Sequence, residues 1–216
     1  DVWMCAGRGG VVYEVLRECH VGIVTQTLID VWVGQNVIMN ALGVTKDEFR
    51  PLASKRARDA VRHVEHACVT MHGRSVTHVE LCAVQALVGL SLVATDEASG
   101  QCVGFFLWED MAASAWGEKL DISPKFEAQF RFMTELEGEY LKHRGVTSLP
   151  RGEVLHGIYG GTAKERSGSG VVTALMNLSE LWARRCGFSR MVTEAVVIGS
   201  QYVSFKLGWV DIALKQ

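Results

Sequence analysis

The sequence has no excess of charge of either sign. Its 22 Lys and Arg residues nearly balance 24 Asp and Glu residues, and the formal net charge is −2. Proteins that bind nucleic acid or an anionic membrane surface electrostatically need a basic excess. We therefore expect neither nucleic acid nor a membrane among the partners of this chain.

The sequence also lacks the marks of a secreted or membrane protein. No segment near its start combines basic residues, an apolar centre and a small-residue cleavage site, so we expect no signal peptide. The longest apolar run, QALVGLSLVA, is too short to span a bilayer as a helix. The six cysteines form no CxxC pair and no short disulfide pattern, which predicts reduced thiols in a cytoplasmic protein.

The pattern of apolar residues predicts one mixed α/β domain over residues 1–216. The capping pair Thr45 and Glu48 begins a helix with a regular apolar stripe. Two apolar runs around DEASG predict a hairpin. The other strands are expected at 11–16, 153–159, 190–198 and 210–214, and the other helices at about 19–32, 123–143, 171–186 and 199–209.

A glycine-rich turn, GGTAKERSGSGVV at 160–172, joins a predicted strand to a predicted helix. A helix that starts at Gly168, Ser169 and Gly170 exposes its first N–H groups, which together with the helix dipole form a site for a phosphate or diphosphate. Arg166 could add a direct contact to that anion. A plain tight loop is the alternative, because glycine is common in all turns.

Two familiar phosphate-binding motifs do not fit this turn. A P-loop needs a Lys after its last spaced glycine, and none follows here. A dinucleotide fingerprint needs a third glycine where Thr173 stands.

The segment from LHGIYGGTAKERSGSG to SQYVSFKLGW resembles the GNAT superfamily of N-acetyltransferases. In that superfamily a strand leads into a turn of the form Gln/Arg-x-x-Gly-x-Gly/Ala and a helix, and a later helix ends in a Leu-Gly-Phe-like motif. Here ERSGSG and KLGW stand at these places, about forty residues apart in the expected order. The match is good over residues 153–214, and elsewhere it rests on the order of the elements.

The resemblance implies a GNAT-like acyl-CoA N-acyltransferase fold, with a central mixed and mostly antiparallel sheet flanked by helices. It also implies acetyl-CoA as co-substrate, held by the end of the strand and by the turn. The implied contacts are Tyr159, Gly160, Gly161, Thr162, Arg166, Ser167, Gly168, Ser169, Gly170 and Val171.

The sequence departs from this family in places that matter for chemistry. Glu165 stands at the first position of the turn motif, and Ser204 stands where a tyrosine often protonates the leaving thiolate. NVIMNALG resembles a segment of the arylalkylamine N-acetyltransferase-like branch, in which insect members have a catalytic glutamate. Asn36 occupies that position here and cannot accept a proton at neutral pH.

Acetyl transfer to an amine needs a base, because alkylammonium groups lose their proton only near pH ~10. His156 matches the first of two catalytic histidines in vertebrate members of that branch, and a packed core histidine is the alternative. Glu109, at the end of FFLWE, is a second candidate base. Ser204 or Tyr202 could protonate the thiolate, although Tyr202 also fits a half-buried helix position.

Two further patterns have ordinary explanations. The histidines and cysteine of HVEHACVTMHG lack the HExxH spacing, so we expect no metal site at His63, His66, Cys68 and His72. Lys55, Arg58 and Arg62 lie opposite the apolar stripe of their helix, which is typical of a solvated face.

The sequence therefore predicts an acetyl-CoA-dependent N-acetyltransferase, as a monomer or homodimer, that acts by direct attack. The acceptor would be the primary amine of a small molecule such as an arylalkylamine or a polyamine. The alternative is a non-catalytic acyl-CoA-binding regulatory protein, which the departures at Asn36, Glu165 and Ser204 favour.

Overall fold

A computed structural model of the chain describes residues 4–6, 9–62, 89–113 and 123–212. The strands are β1 Met4–Ala6, β2 Val11–Val15, β3 Leu92–Asp96, β4 Cys102–Asp110, β5 Val154–Thr162 and β6 Arg190–Thr193. The helices are α1 Val21–Gln35, α2 Val37–Ala41, α3 Lys46–Arg62, α4 Glu127–Arg144, α5 Val171–Arg185 and α6 Ile198–Lys206. The residues of the metal hypothesis, His63, His66, Cys68 and His72, lie outside the described part.

Within the described residues the six strands form one sheet in the order β1-β2-β3-β4-β5-β6. The first five strands pair antiparallel with their neighbours, and β5 and β6 pair in parallel. This confirms the predicted central sheet, which is mixed and mostly antiparallel. The predicted hairpin is also confirmed, because β3 and β4 pair around the DEASG turn.

Strand β4 separates the two halves of the core because successive side chains of a strand point to opposite faces. Phe105 and Leu107 pack on one face with α1 and α3, and Phe106 and Trp108 pack on the other face with α5. All nine residues of β4 are buried, as expected for a central strand covered by helices on both sides.

The predicted helix signals are present where the chain is described. The Glu48 carboxylate accepts from the Thr45 amide at 2.8 Å, and the Glu48 amide donates to the Thr45 hydroxyl at 3.3 Å, so the capping box forms. The apolar stripe of α3 is almost completely buried and consists of Phe49, Leu52, Ala53, Ala57 and Ala60. None of the helices in the described ranges is long and apolar enough to cross a membrane.

Several boundaries differ from the sequence prediction. Strand β1 and helix α2 were not predicted, because a strand of three residues and a helix of five residues are too short to show their period. Strand β6 ends at Thr193 rather than at residue 198. The strand predicted at 210–214 is wrong over 210–212, which form no strand, and 213–214 lie outside the described residues.

The pairing of β5 with β6 stops halfway along β5. The last pair is Gly157 with Thr193, although β5 continues to Thr162. Just beyond Gly157, the register between β4 and β5 shifts, so that Leu107 lies opposite Tyr159 and Trp108 lies opposite Gly157. Such a bulge bends and twists a strand. The sheet therefore opens between β5 and the chain that follows β6.

Candidate active site

A cavity of about 800 Å³, here called the main cavity, occupies the gap beyond β6. One wall is the end of β5, from Ile158 to Thr162, and the opposite wall is the chain from Thr193 to Ser200. Ser167 and Gly168 of the glycine-rich turn lie at the same cavity. The gap thus places the end of β5, the turn and the end of β6 around one space.

The glycine-rich turn has the geometry of an exposed helix start. Gly168 and Gly170 have φ angles of 74° and 84°, in the left-handed region that glycine adopts without strain. The first bond of α5 runs from the Ala174 amide to the Gly170 carbonyl at 2.9 Å. The amides of the three preceding residues therefore have no partner within the helix, as an anion site requires.

The predicted cofactor contacts divide into two groups. Tyr159, Gly160, Gly161, Thr162, Ser167 and Gly168 line the main cavity, whereas Arg166, Ser169, Gly170 and Val171 do not.

Arg166 makes an ion pair with Asp96 at the turn of the β3–β4 hairpin. The Ser99 amide and hydroxyl also donate to Asp96, and these bonds, with the Arg166 charge, hold the pKa of the carboxyl below its usual value. Arg166 thus ties the turn to the hairpin, and the structure does not show the expected free guanidinium. Glu165 is exposed on the same turn.

The packing around β5 requires glycine at two positions of the cavity wall, Gly160 and Gly161. A Cβ atom on Gly160 would lie 2.8 Å from the Phe106 ring, and one on Gly161 would lie 2.7 Å from Val31. Both distances are shorter than side chains tolerate. These glycines let Phe106 and Val31 form part of the cavity wall.

His156 lies at the centre of a group of acidic side chains, here called the His156 cluster. It stands directly opposite Glu109 on β4, and its Nδ1 is 3.3 Å from Oε1 of Glu109. Its Nε2 is 2.9 Å and 3.0 Å from the two carboxylate oxygens of Glu194. Glu137 of α4 completes the cluster, with Oε1 at 3.9 Å from Nδ1.

The cluster keeps His156 protonated. Burial alone lowers the pKa of an imidazole, but hydrogen bonds and charges from Glu109 and Glu194 outweigh it and raise the pKa of His156 to about 10. Near neutral pH both ring nitrogens therefore donate to carboxylates. His156 stays a predicted site residue that can support a base, but in this state it cannot accept a proton itself.

The two predicted bases, His156 and Glu109, differ from the nearby Glu194 in their access to the main cavity. His156 and Glu109 are fully buried and do not line the main cavity. Glu194 lines the main cavity, and the sequence prediction missed it. The available signal was an acidic residue in the otherwise apolar run MVTEAVVI, which had been assigned to a continuous strand.

Of the two predicted proton donors, Ser204 and Tyr202, only Ser204 lines the main cavity. Ser204 of α6 lines the main cavity and a second cavity of about 360 Å³, here called the side cavity. Tyr202 is 67% exposed and lines neither of them. Asn36, at the position of the insect glutamate, caps α2 by accepting from the Ile38 amide at 2.9 Å.

Tyr159 connects the cavity wall to the buried charges behind it. Its ring packs edge to face against Trp32, with 4.6 Å between the centroids. Burial raises the pKa of its hydroxyl to about 12; the Arg56 charge opposes this shift and Glu109 adds to it. Tyr159 is therefore a neutral hydroxyl beside the His156 cluster.

No model of a protein family matches the chain, and no curated protein matches it. Solved structures do match its fold. The C-terminal condensation domain of Ebony, in complex with beta-alanyl-dopamine, has a TM-score of 0.70 and 16% identity, over 91% of this chain and 81% of that one. Arylalkylamine N-acetyltransferase 2 from Aedes aegypti has a TM-score of 0.66 and 17% identity, over 93% and 82%.

A further match is the putative arylalkylamine N-acetyltransferase 7 from the same mosquito, with a TM-score of 0.61 and 15% identity, over 92% of this chain and 72% of that one. At these identities the likeness concerns the fold. The predicted GNAT-like acyl-CoA N-acyltransferase fold is confirmed at that level.

Proposed function

We propose that this chain is an acetyl-CoA-dependent N-acetyltransferase that transfers acetyl to the primary amine of a small molecule by direct attack. The observation that carries the proposal is the main cavity. It joins an exposed helix start, suited to the phosphates of CoA, to a buried acidic cluster suited to an amine.

The cavity offers two kinds of contact for the donor. Beyond Gly157 one edge of β5 has no partner strand among the described residues, so its N–H and C=O groups can bond the amides of a pantetheine arm. The amides that begin α5 can bind the diphosphate. Because Arg166 is paired with Asp96, we expect backbone groups rather than a guanidinium to hold the phosphates.

The proposed reaction has two proton transfers, one bond formed and one bond broken. The ammonium group of the acceptor loses one proton to the His156 cluster. The amine nitrogen then attacks the thioester carbon, a C–N bond forms and the C–S bond breaks. The second proton of the nitrogen passes to the CoA thiolate, with Ser204 at the cavity wall as the proposed relay. The products are an amide, CoA thiol and one proton.

The acidic cluster suits an acceptor that arrives as a cation. Arylalkylamines are the first class to test, because three of the matching structures carry that name and another holds beta-alanyl-dopamine. Polyamines are the second class. A cytoplasmic location, a single domain and a monomeric or homodimeric state stay predictions from the sequence.

A non-catalytic acyl-CoA-binding regulatory protein is the second candidate function. It is favoured by the capping role of Asn36, which leaves the position of the insect glutamate without a base. It is also favoured by the ion pair that engages Arg166.

Two measurements separate these functions. Calorimetry with acetyl-CoA tests donor binding, and a thiol-release assay over arylalkylamines and polyamines tests transfer. The transferase releases CoA thiol only when an amine is present. The regulatory protein gives heat of binding and no thiol with any amine of the panel.

A further inference from the structure

We propose that Glu194 is the residue that holds the ammonium group of the acceptor and takes its proton, with His156 as the residue that positions it. This inference rests on the proposed transferase function and names the amine-binding group within it.

Access to the cavities singles out Glu194 within the His156 cluster. It lines both the main cavity and the side cavity, whereas Glu109 and Glu137 line neither. Its side chain is 7% exposed, so a cation that reaches it is largely removed from water. A hydrogen bond between charged groups is stronger in such surroundings than in bulk water.

Glu194 can bind a second cation while it holds His156. A carboxylate has about four lone-pair sites. The Nε2 of His156 lies nearly equidistant from both oxygens and takes up one side of the group. Because Glu194 lines both cavities, we expect its remaining lone pairs to bind an ammonium group there.

The charges around the cluster favour a cation. Glu109 faces His156 from β4, Glu137 from α4 and Glu194 from the chain after β6. His156 contributes a positive charge within the group, and the buried Arg56 of α3 acts on Tyr159, on which Glu109 acts as well. Among the described residues, three carboxyl groups thus surround the His156 ring, and these acidic surroundings favour a cation such as an ammonium group.

The side cavity gives the rest of the acceptor a place to lie. Glu194, Thr193, Ala195 and Ser204 are common to both cavities, so an amine on Glu194 can reach the main cavity with its nitrogen. The side cavity has an aromatic wall formed by Phe132, Tyr140, Phe205 and Trp209. This wall matches an apolar or aromatic body attached to the ammonium group.

His156 acts on the acceptor only through Glu194. Glu109 and Glu137 hold one ring nitrogen, and the other nitrogen fixes the Glu194 carboxylate. We expect the ring to stay doubly protonated near neutral pH, and its ¹⁵N NMR shifts report this directly.

The test compares Glu194→Gln, Glu194→Asp and the control Glu180→Gln, which removes an exposed carboxylate of α5. Calorimetry measures phenethylamine and spermidine binding to each protein without donor. We expect wild type and Glu180→Gln to bind at least one of these amines equally well. Glu194→Gln should weaken that binding tenfold or more, and Glu194→Asp should restore part of it.

Steady-state kinetics of the same variants provide the second test of the proposal. With acetyl-CoA and the better amine, Glu194→Gln should reduce kcat roughly 10²-fold or more, the usual effect of losing a positioned base. The Kd for acetyl-CoA should be unchanged. In His156→Gln, KM for the amine should rise with kcat reduced less than in Glu194→Gln, because the carboxylate remains but is no longer fixed.

Three results would overturn the inference: wild type that binds neither amine, Glu194→Gln that binds the amine as wild type does, or Glu194→Gln with full turnover. The failure of the proposed function looks different. Wild type that binds acetyl-CoA and binds the amine through Glu194, but releases no thiol, refutes the transferase and leaves the amine site standing.

Discussion

Replacing His156 by Gln should change how the stability of the protein depends on pH. The pKa of His156 is about 10 in the folded protein, against about 6.5 for an unperturbed histidine. The folded state therefore holds one more proton than the unfolded state between these values. The resulting stabilisation is complete below pH ~6.5, declines as the pH rises and is lost above about 10.

The size of the effect follows from that one proton. Stability changes by about 1.4 kcal/mol per pH unit while the two states differ by one bound proton. From pH 7 to pH 9, the difference in unfolding free energy between wild type and His156→Gln should narrow by roughly 2–3 kcal/mol. His156 is fully buried, which makes screening by solvent small at this site.

Urea unfolding at pH 7, 8 and 9 measures this difference. His143→Gln, which changes an exposed histidine in the last turn of α4, is the control and should follow the wild type at every pH. A difference between wild type and His156→Gln that stays constant from pH 7 to pH 9 would show that His156 is neutral. That result would refute the assignment of a protonated His156 to the cluster.

Three further substitutions test other parts of the structure. Gly170→Asp adds a charged side chain at a φ of 84° and at the helix start, so calorimetry should show acetyl-CoA binding lost while circular dichroism shows the fold kept. Gly160→Ala places a Cβ 2.8 Å from the Phe106 ring, which is itself stacked on Trp108, and should lower the unfolding free energy in urea by about 1–3 kcal/mol. The control Gly138→Ala has open space around its Cβ and should not lower the unfolding free energy. Asn36→Ala removes the cap of α2 and should cost about 1 kcal/mol, with kcat unchanged if Asn36 has no catalytic part.

Features set by neighbouring residues could be predicted from the sequence. The capping box at Thr45, the hairpin around DEASG and the helix start at Gly170 each depend on a few consecutive residues. The α3 stripe could be predicted because its apolar spacing fixes which face is buried. Local patterns therefore predicted these elements and the helix start at which we propose the anion site.

The chemistry of the cluster depends on contacts between distant residues, which no local pattern reveals. Glu109 and Glu194 lie 47 and 38 positions from His156, and together they reverse the pKa shift expected from burial. Asp96 engages Arg166 across 70 positions. Glu194 was missed because its role depends on where β6 stops pairing with β5, and a run of strand-forming residues does not show that point.

The most direct test of the transferase follows both products of one reaction. Wild-type protein is incubated with acetyl-CoA and phenethylamine or spermidine, and mass spectrometry counts the acetylated amine while a thiol reagent counts free CoA. We predict one acetylated amine for each thiol, and neither product with Gly170→Asp. Heat of acetyl-CoA binding by the wild type, with no acetylated amine and no thiol, would contradict the transferase and establish the regulatory alternative.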